Sequence, residues 1–266
     1  MSGDEVLVAL LGAGTGVIAW ARWYTPLMTV DRLGARTPGV GLLMIGPLFC
    51  AALLFYVLRT LSSHDVQDAL VYIAMYLAVG AGWVGLGTLA LPLLGVSARD
   101  DVMERGNAAA APVLAGALLG LTLCFAGGNV GDGPGWWVVV FSAALATTAL
   151  ALGWYALELA AGIADTVTIE RDLAAGLRVG ALLAANGLVL GRAVAGDWVS
   201  AGGTLRDFAH TAWPLLLLQA AAVFLERSFR PDAERPTRSP ALHGALPGLL
   251  YLAAASLYVI RLGPPA

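Results

Sequence analysis

Lysine is absent from this chain of 266 residues; all 15 basic residues are arginine. With alanine, leucine and glycine dominating, this is the bias of a GC-rich bacterial genome, and it bears on origin only. Cysteine is nearly absent too. Cys50 and Cys124 both fall within apolar stretches, which argues against a disulfide framework or a thiolate metal site and makes them small packing residues. Charge is scarce: 12% charged against 59% hydrophobic residues, with a mean hydropathy of +0.78, leaves too little polar surface for a soluble protein of this length. The expected solvent is lipid. The formal net charge of -3 says little about partners, because the division of charge between loops matters more than its sum, and nothing here points to nucleic acid.

Signatures of chemistry are missing as well. There is no nucleophile elbow, no pair of intramembrane carboxylates, no zinc-binding helix and no Walker loop. Gly12-Ala13-Gly14-Thr15-Gly16 superficially resembles a nucleotide loop, but Val17 stands where a third glycine belongs and no strand precedes it. His64, His210 and His243 share no ligand spacing. The expectation is a protein with no catalytic residue, no cofactor and no metal. The acidic start, Met1-Ser2-Gly3-Asp4-Glu5, lacks the basic region of a signal peptide, although Ala19-Trp20-Ala21 imitates a cleavage site; the first apolar run reads as a permanent span.

What the chain does have is repetition. Met103 to Gly127 returns in variant form at Thr168 to Gly191, with Gly116-Ala117-Leu118-Leu119 recurring as Gly180-Ala181-Leu182-Leu183. Apolar runs of roughly 17 to 26 residues, the length that crosses a hydrocarbon core of ~30 Å, occur eight times. They cover Val6 to Ala21, Gly39 to Leu58, Ala69 to Leu94, Ala108 to Gly127, Trp136 to Leu159, Leu173 to Val194, Phe208 to Leu225 and Ala241 to Ile260. The expected fold is all-α: a polytopic membrane protein in a single membrane domain of four tandem, parallel two-helix hairpins, at about 5–62, 66–128, 134–196 and 206–262.

Arginines orient these spans. The loops after the odd spans hold or adjoin Arg22, Arg32, Arg36, Arg99, Arg105, Arg171, Arg178, Arg227, Arg230, Arg235 and Arg238, against Arg59, Arg192, Arg206 and Arg261 on the other side. The positive-inside rule makes the richer side cytoplasmic and places both termini outside. Trp20, Trp23, Trp136, Trp137 and Trp213 lie near span ends and read as interface anchors.

The second helix of each hairpin begins at Arg36, Arg105, Arg171 or Arg238, followed by Thr37, Asn107, Asp172 or Ser239 as a cap for the first-turn N–H groups. Such helix starts serve as structural caps or as anion or headgroup sites. Gly116 with Gly120, Gly176 with Gly180, Gly187 with Gly191 and Gly244 with Gly248 have GxxxG spacing, all in second helices, which are therefore expected to form an inner ring. Gly46-Pro47, Leu91-Pro92, Ala111-Pro112 and Trp213-Pro214 are candidate kinks.

Few polar side chains lie within the spans: Glu158, Arg178, Asn186 and Gln219. Glu158 and Arg178 lie near the cytoplasmic ends of the fifth and sixth spans at matched depth, which predicts an ion pair across the third hairpin; snorkelling to the surface is the alternative. Asn186 and Gln219 lie deeper and suit hydrogen bonding between helices.

On these residues the chain resembles a bacterial inner-membrane family, domain of unknown function 350, with its small UPF 0719-like members. The family's helix start, an Asn, a variable residue and two alanines, with glycines a turn or two later, appears as Asn107-Ala108-Ala109-Ala110 with Gly116 and Gly120. A second copy is Asp172-Leu173-Ala174-Ala175-Gly176 with Gly180, where Asp172 replaces the usual Asn. The resemblance covers about Ala69 to Trp198 and implies a multi-pass inner-membrane protein; it supplies no substrate and no catalytic residue. The functional expectation favours, by a narrow margin, a channel, transporter or sensor for a small solute or ion. The rival is a non-transporting anchor or regulatory subunit for a cytoplasmic partner, and an intramembrane enzyme comes third. The implied partners are the lipid bilayer and either further copies of the chain or that cytoplasmic protein.

Overall fold

A computed structural model describes residues 1–32, 39–231 and 238–265. They form α1 (Gly3–Arg32), α2 (Val40–Thr60), a short α3 (His64–Gln67) and α4 (Leu70–Ala90), which a 3-10 turn extends over Leu91–Leu94. After a π-turn at Ala98–Glu104 come α5 (Ala110–Gly127), α6 (Trp136–Ala161), a short α7 (Ile163–Thr168) and α8 (Leu173–Ala193). The last part is α9 (Ala201–Ala212), α10 (Pro214–Phe229), a π-turn at Pro240–Ala245 and α11 (Leu246–Leu262). Among the described residues no strand forms.

Seven of these segments are long and apolar enough to cross a membrane, and an eighth results if α9 and α10, bent by 43° at a break, count as one span. The break falls at Trp213-Pro214, where proline removes a backbone donor and clashes with the preceding turn. The other prolines behave differently. Pro112 sits in the first turn of α5, where no helical bond is lost, Pro92 lies in the 3-10 turn, and Pro47 is accommodated inside α2.

Burial follows residue size in the sense expected in lipid. The apolar windows of α5 and α8 are each 78% buried, whereas that of α1 is 17% buried and that of α11 22%. Gly116 of α5 lies directly against the backbone of Gly180 in α8, and Gly127 against Gly191. Large side chains such as Leu10, Leu11, Ile18, Leu249 and Ile260 point outward. Lipid tails are as apolar as leucine, so helix association is driven by close backbone approach rather than by burying leucines.

The second helices therefore form a row and not the expected inner ring. α5 and α8 occupy the centre, α2 packs on α5 through Gly46 and Leu118, and α11 packs on α8 through Gly244 against Ala174 and Gly248 against Ala181. α1 joins α4 through a further glycine contact: a Cβ at Gly82 would stand 2.7 Å from the carbonyl of Gly12, and Gly16 faces Ala81 and Gly82. Gly12 and Gly16 are thus a helix-packing pair.

Tryptophans tie helices together. Trp23, expected at an interface, is buried and donates to the Leu43 carbonyl at 3.1 Å; Trp20 donates to the Ala81 carbonyl at 3.0 Å. Both act as internal struts. An indole N–H inside a bilayer requires an acceptor, and a neighbouring helix supplies it.

Both ends of the chain lie on one face. Trp136 Nε1 donates to Asp4 Oδ2 at 2.9 Å, and Arg192 donates to the Gly263 carbonyl at 3.2 Å. On the opposite face Arg99 pairs with Glu104, Arg105 with Asp101 and Arg230 with Glu170. Arg36, Thr37, Asp232 and Arg235 lie outside the described residues.

Candidate functional site

The one ion pair that is buried on both sides, among the described residues, joins α8 to α10. Arg178, fully buried, donates from Nη2 to Glu226 Oε2 at 2.6 Å and from Nε to Oε1 at 2.8 Å, a bidentate fork. Its remaining nitrogen, Nη1, donates to the His243 carbonyl in the π-turn before α11. The guanidinium also lies over the Phe229 ring, 5.4 Å from its centroid, and that ring meets His243 edge to face at 4.9 Å. Three helices thus converge on one cation.

Position along the helices explains why burial is possible. Arg178 is the sixth residue of α8, ~7.5 Å from its start at 1.5 Å per residue, and Glu226 lies in the last turn of α10. Both charges stand close to the arginine-rich face. Two polar atoms on the α11 side have no hydrogen-bond partner, His243 Nδ1 and the Tyr251 hydroxyl, and Tyr251 is within Coulombic range of both charges. A satisfied pair flanked by unsatisfied atoms is a costly arrangement in an apolar setting.

The expected pair of Glu158 with Arg178 does not form. Glu158 Oε2 accepts from the Ala164 backbone N–H at 2.7 Å, closing the turn between α6 and α7. Equal depth on neighbouring helices did not produce contact because α10 brings a second carboxylate to Arg178. Glu226 was missed since it falls one residue beyond the apolar run that ends at Leu225; the signal was Phe229 three positions later, which continues the helical pattern.

The cap residues act as caps. Asp172 accepts from the backbone N–H groups of Ala174 at 2.9 Å and Ala175 at 3.2 Å. Asn107 Oδ1 accepts from Ala109 at 3.0 Å, while its Nδ2 donates to the Val167 carbonyl at 2.8 Å and so ties α5 to the loop before α8. Each is preceded by a left-handed residue, Gly106 with φ 62° and Arg171 with φ 54°. Ser239 caps the π-turn through Leu242 at 3.4 Å.

Asn186 is buried in α8 with Oδ1 unpartnered, and Gln219 Oε1 is likewise unpartnered where its side chain meets Gly153 of α6. Gly120 receives Gly187, and Gly176 faces the Ala109 carbonyl, so these positions continue the seam formed by Gly116 and Gly180. Cavities with charged residues in their walls lie at the two ends of the bundle. A cavity of about 750 Å³ adjoins Arg22, Thr25, Arg99 and Asp100 on the arginine-rich face, and one of about 150 Å³ adjoins Asp65, Asn129 and Asp132 on the other. Cavities of about 110 and 230 Å³ within the bundle are lined mainly by leucine, alanine, glycine and tryptophan.

A scan against protein-family models, a search of curated proteins and a search of solved structures each found no match.

Proposed function

We propose that this chain is a multi-pass protein of a bacterial inner membrane that senses a small solute and does not conduct it. In this reading it consists of four parallel hairpin repeats with both termini outside, and it resembles the domain of unknown function 350 family. The carrying observation is the closed seam between α5 and α8. Gly116 lies on Gly180, Gly120 on Gly187 and Gly127 on Gly191, backbone against backbone, which leaves no room for a hydrated path between the central helices. A cavity with charged residues at each end, separated by apolar packing, suits binding at a surface better than passage through the middle.

The buried Arg178–Glu226 fork gives such a sensor a discrete element to bias. It locks α10 and the start of α11 onto α8, and separating the two charges would release both helices together. Proteoliposomes holding the purified protein should show no flux of ions or small amines above protein-free vesicles. Flux that scales with protein content would overturn the reading.

A transport reading is favoured by one specific observation, the unpartnered His243 Nδ1 and Tyr251 hydroxyl beside the ion pair. It requires a path along α8, α10 and α11 instead of the central seam. Flux abolished by Glu226→Gln would establish it.

A further inference from the structure

We propose that the cavity between α1, the end of α4 and the π-turn at Ala98–Glu104 holds the headgroup of a phospholipid that bears a primary ammonium, with Arg22 on its phosphate and Asp100 on its ammonium. The inference goes beyond the sensing reading and needs only that the chain lies in a bilayer.

Arg22 carries the argument. It is exposed, and it lies inside Gly3–Thr29, one of the segments long and apolar enough to cross a membrane. Among the described residues it takes part in no ion pair. A guanidinium on such a helix is costly without a counter-charge, and its depth says where one is found. At 1.5 Å per residue Arg22 stands ~28 Å along α1 from Gly3, and Thr88, in the same cavity wall, ~27 Å along α4 from Leu70. The two helices run parallel, with Gly12 against Gly82 and Ala19 against Gly85. Both depths are close to the ~30 Å of a hydrocarbon core, so the cavity opens at the level of the lipid phosphates.

The cavity, of about 750 Å³, is graded as a lipid is. Arg22, Arg99 and Asp100 in its wall are exposed, whereas Ala19, Trp23 and Met103 are buried and apolar. Leu89, also in the wall, is 41% exposed, and Leu93 one turn further on is 87% exposed, so the wall continues into helix surface that a bilayer covers with acyl chains. A soluble anion would meet the guanidiniums and leave the apolar wall unfilled. A phospholipid matches both parts.

Charge selects the headgroup. Arg99 is engaged by Glu104 at 2.9 Å, and Arg105 by Asp101 at 3.3 Å. Arg22 and Asp100 remain, one of each sign, without an ion-pair partner among the described residues, which is complementary to a zwitterion and not to an anionic headgroup. A guanidinium forks onto phosphate oxygens, and a carboxylate accepts from ammonium N–H groups, which a quaternary ammonium lacks. The turn that carries Asp100 is itself fixed: Ser97 Oγ accepts from the Asp100 backbone N–H at 3.1 Å, and the Ser97 N–H donates to Asp101 Oδ2 at 2.8 Å.

The test is native mass spectrometry of the full-length protein, purified in detergent and freed of lipid, titrated with phosphatidylethanolamine, phosphatidylcholine and phosphatidylglycerol of identical chains and with soluble glycerophosphoethanolamine. One phosphatidylethanolamine should bind saturably, about tenfold more tightly than either of the other lipids and than the soluble headgroup. Arg22→Gln should weaken it about tenfold, while Arg206→Gln, exposed in α9, should leave it unchanged. Asp100→Asn tests the headgroup independently of Arg22 and should abolish the preference over phosphatidylglycerol. Equal uptake of the three lipids, undiminished binding in Arg22→Gln, an unchanged preference in Asp100→Asn, or a soluble headgroup that binds as tightly as the lipid would each overturn the proposal.

Discussion

Arg178 reaches across 48 residues of sequence to hold Glu226 in a two-bond fork, and both side chains are buried. The charge therefore joins α8 to α10, where the local sequence suggested a bond between α6 and α8. Removing one partner leaves the other as an uncompensated buried charge, which costs more than the pair itself contributes.

Arg178→Gln and Glu226→Gln are expected to destabilise the protein by about 3–5 kcal/mol each. Glu158→Gln should cost about 1 kcal/mol, through its weakened bond to the Ala164 N–H. Unfolding in detergent, arranged as a double-mutant cycle, checks both points. Arg178 and Glu226 should couple strongly, Arg178 and Glu158 should add, and the reverse result would discard the assignment.

At the central seam even one methyl group is too much. Gly116→Ala and Gly180→Ala place a Cβ against the backbone of the facing helix, and overpacking of this kind costs about 1–3 kcal/mol. Gly14→Ala and Gly41→Ala add a Cβ with nothing within 4 Å and should be neutral or mildly stabilising in a helix. Melting temperatures of the four variants measured together decide the matter; equal tolerance would mean that the seam is not closed.

The arginine division predicts that Asp132 faces outward and Arg171 inward. With Cys50 and Cys124 replaced by alanine, a membrane-impermeant thiol reagent applied to intact cells should label Asp132→Cys and spare Arg171→Cys. Both positions are exposed, so access depends on the side of the membrane and not on burial. Labelling in the opposite sense would invert the topology.

Particular residues show how far the chain was legible. Val40–Thr60, Leu70–Ala90, Ala110–Gly127, Trp136–Ala161 and Leu173–Ala193 follow the apolar runs to within a few residues, because in lipid a run of that length must close its own hydrogen bonds as a helix. The break at Trp213-Pro214 was visible for the same local reason. Asn107 and Asp172 were readable as caps, since a cap bonds within its own first turn. Gly12 and Gly16 were not read as packing residues: GxxxG spacing marks close approach without naming the partner, and here the partner is α4.

What the sequence by itself determined is therefore whatever rests on neighbours along the chain: eight apolar runs, seven of which are single long helices and one a bent pair, the cap positions, and the proline break. Tertiary structure decided the rest. It placed α5 and α8 in the centre and α2 and α11 at the flanks, turned Trp20 and Trp23 into struts, and gave Arg178 to Glu226. The physical reason is common to all three. An arginine or an indole in an apolar surrounding must find a partner, but its chemistry is satisfied equally by any helix that brings the right atom within reach. Which helix does so depends on how small residues allow backbones to approach, and that is settled only when all the helices pack together.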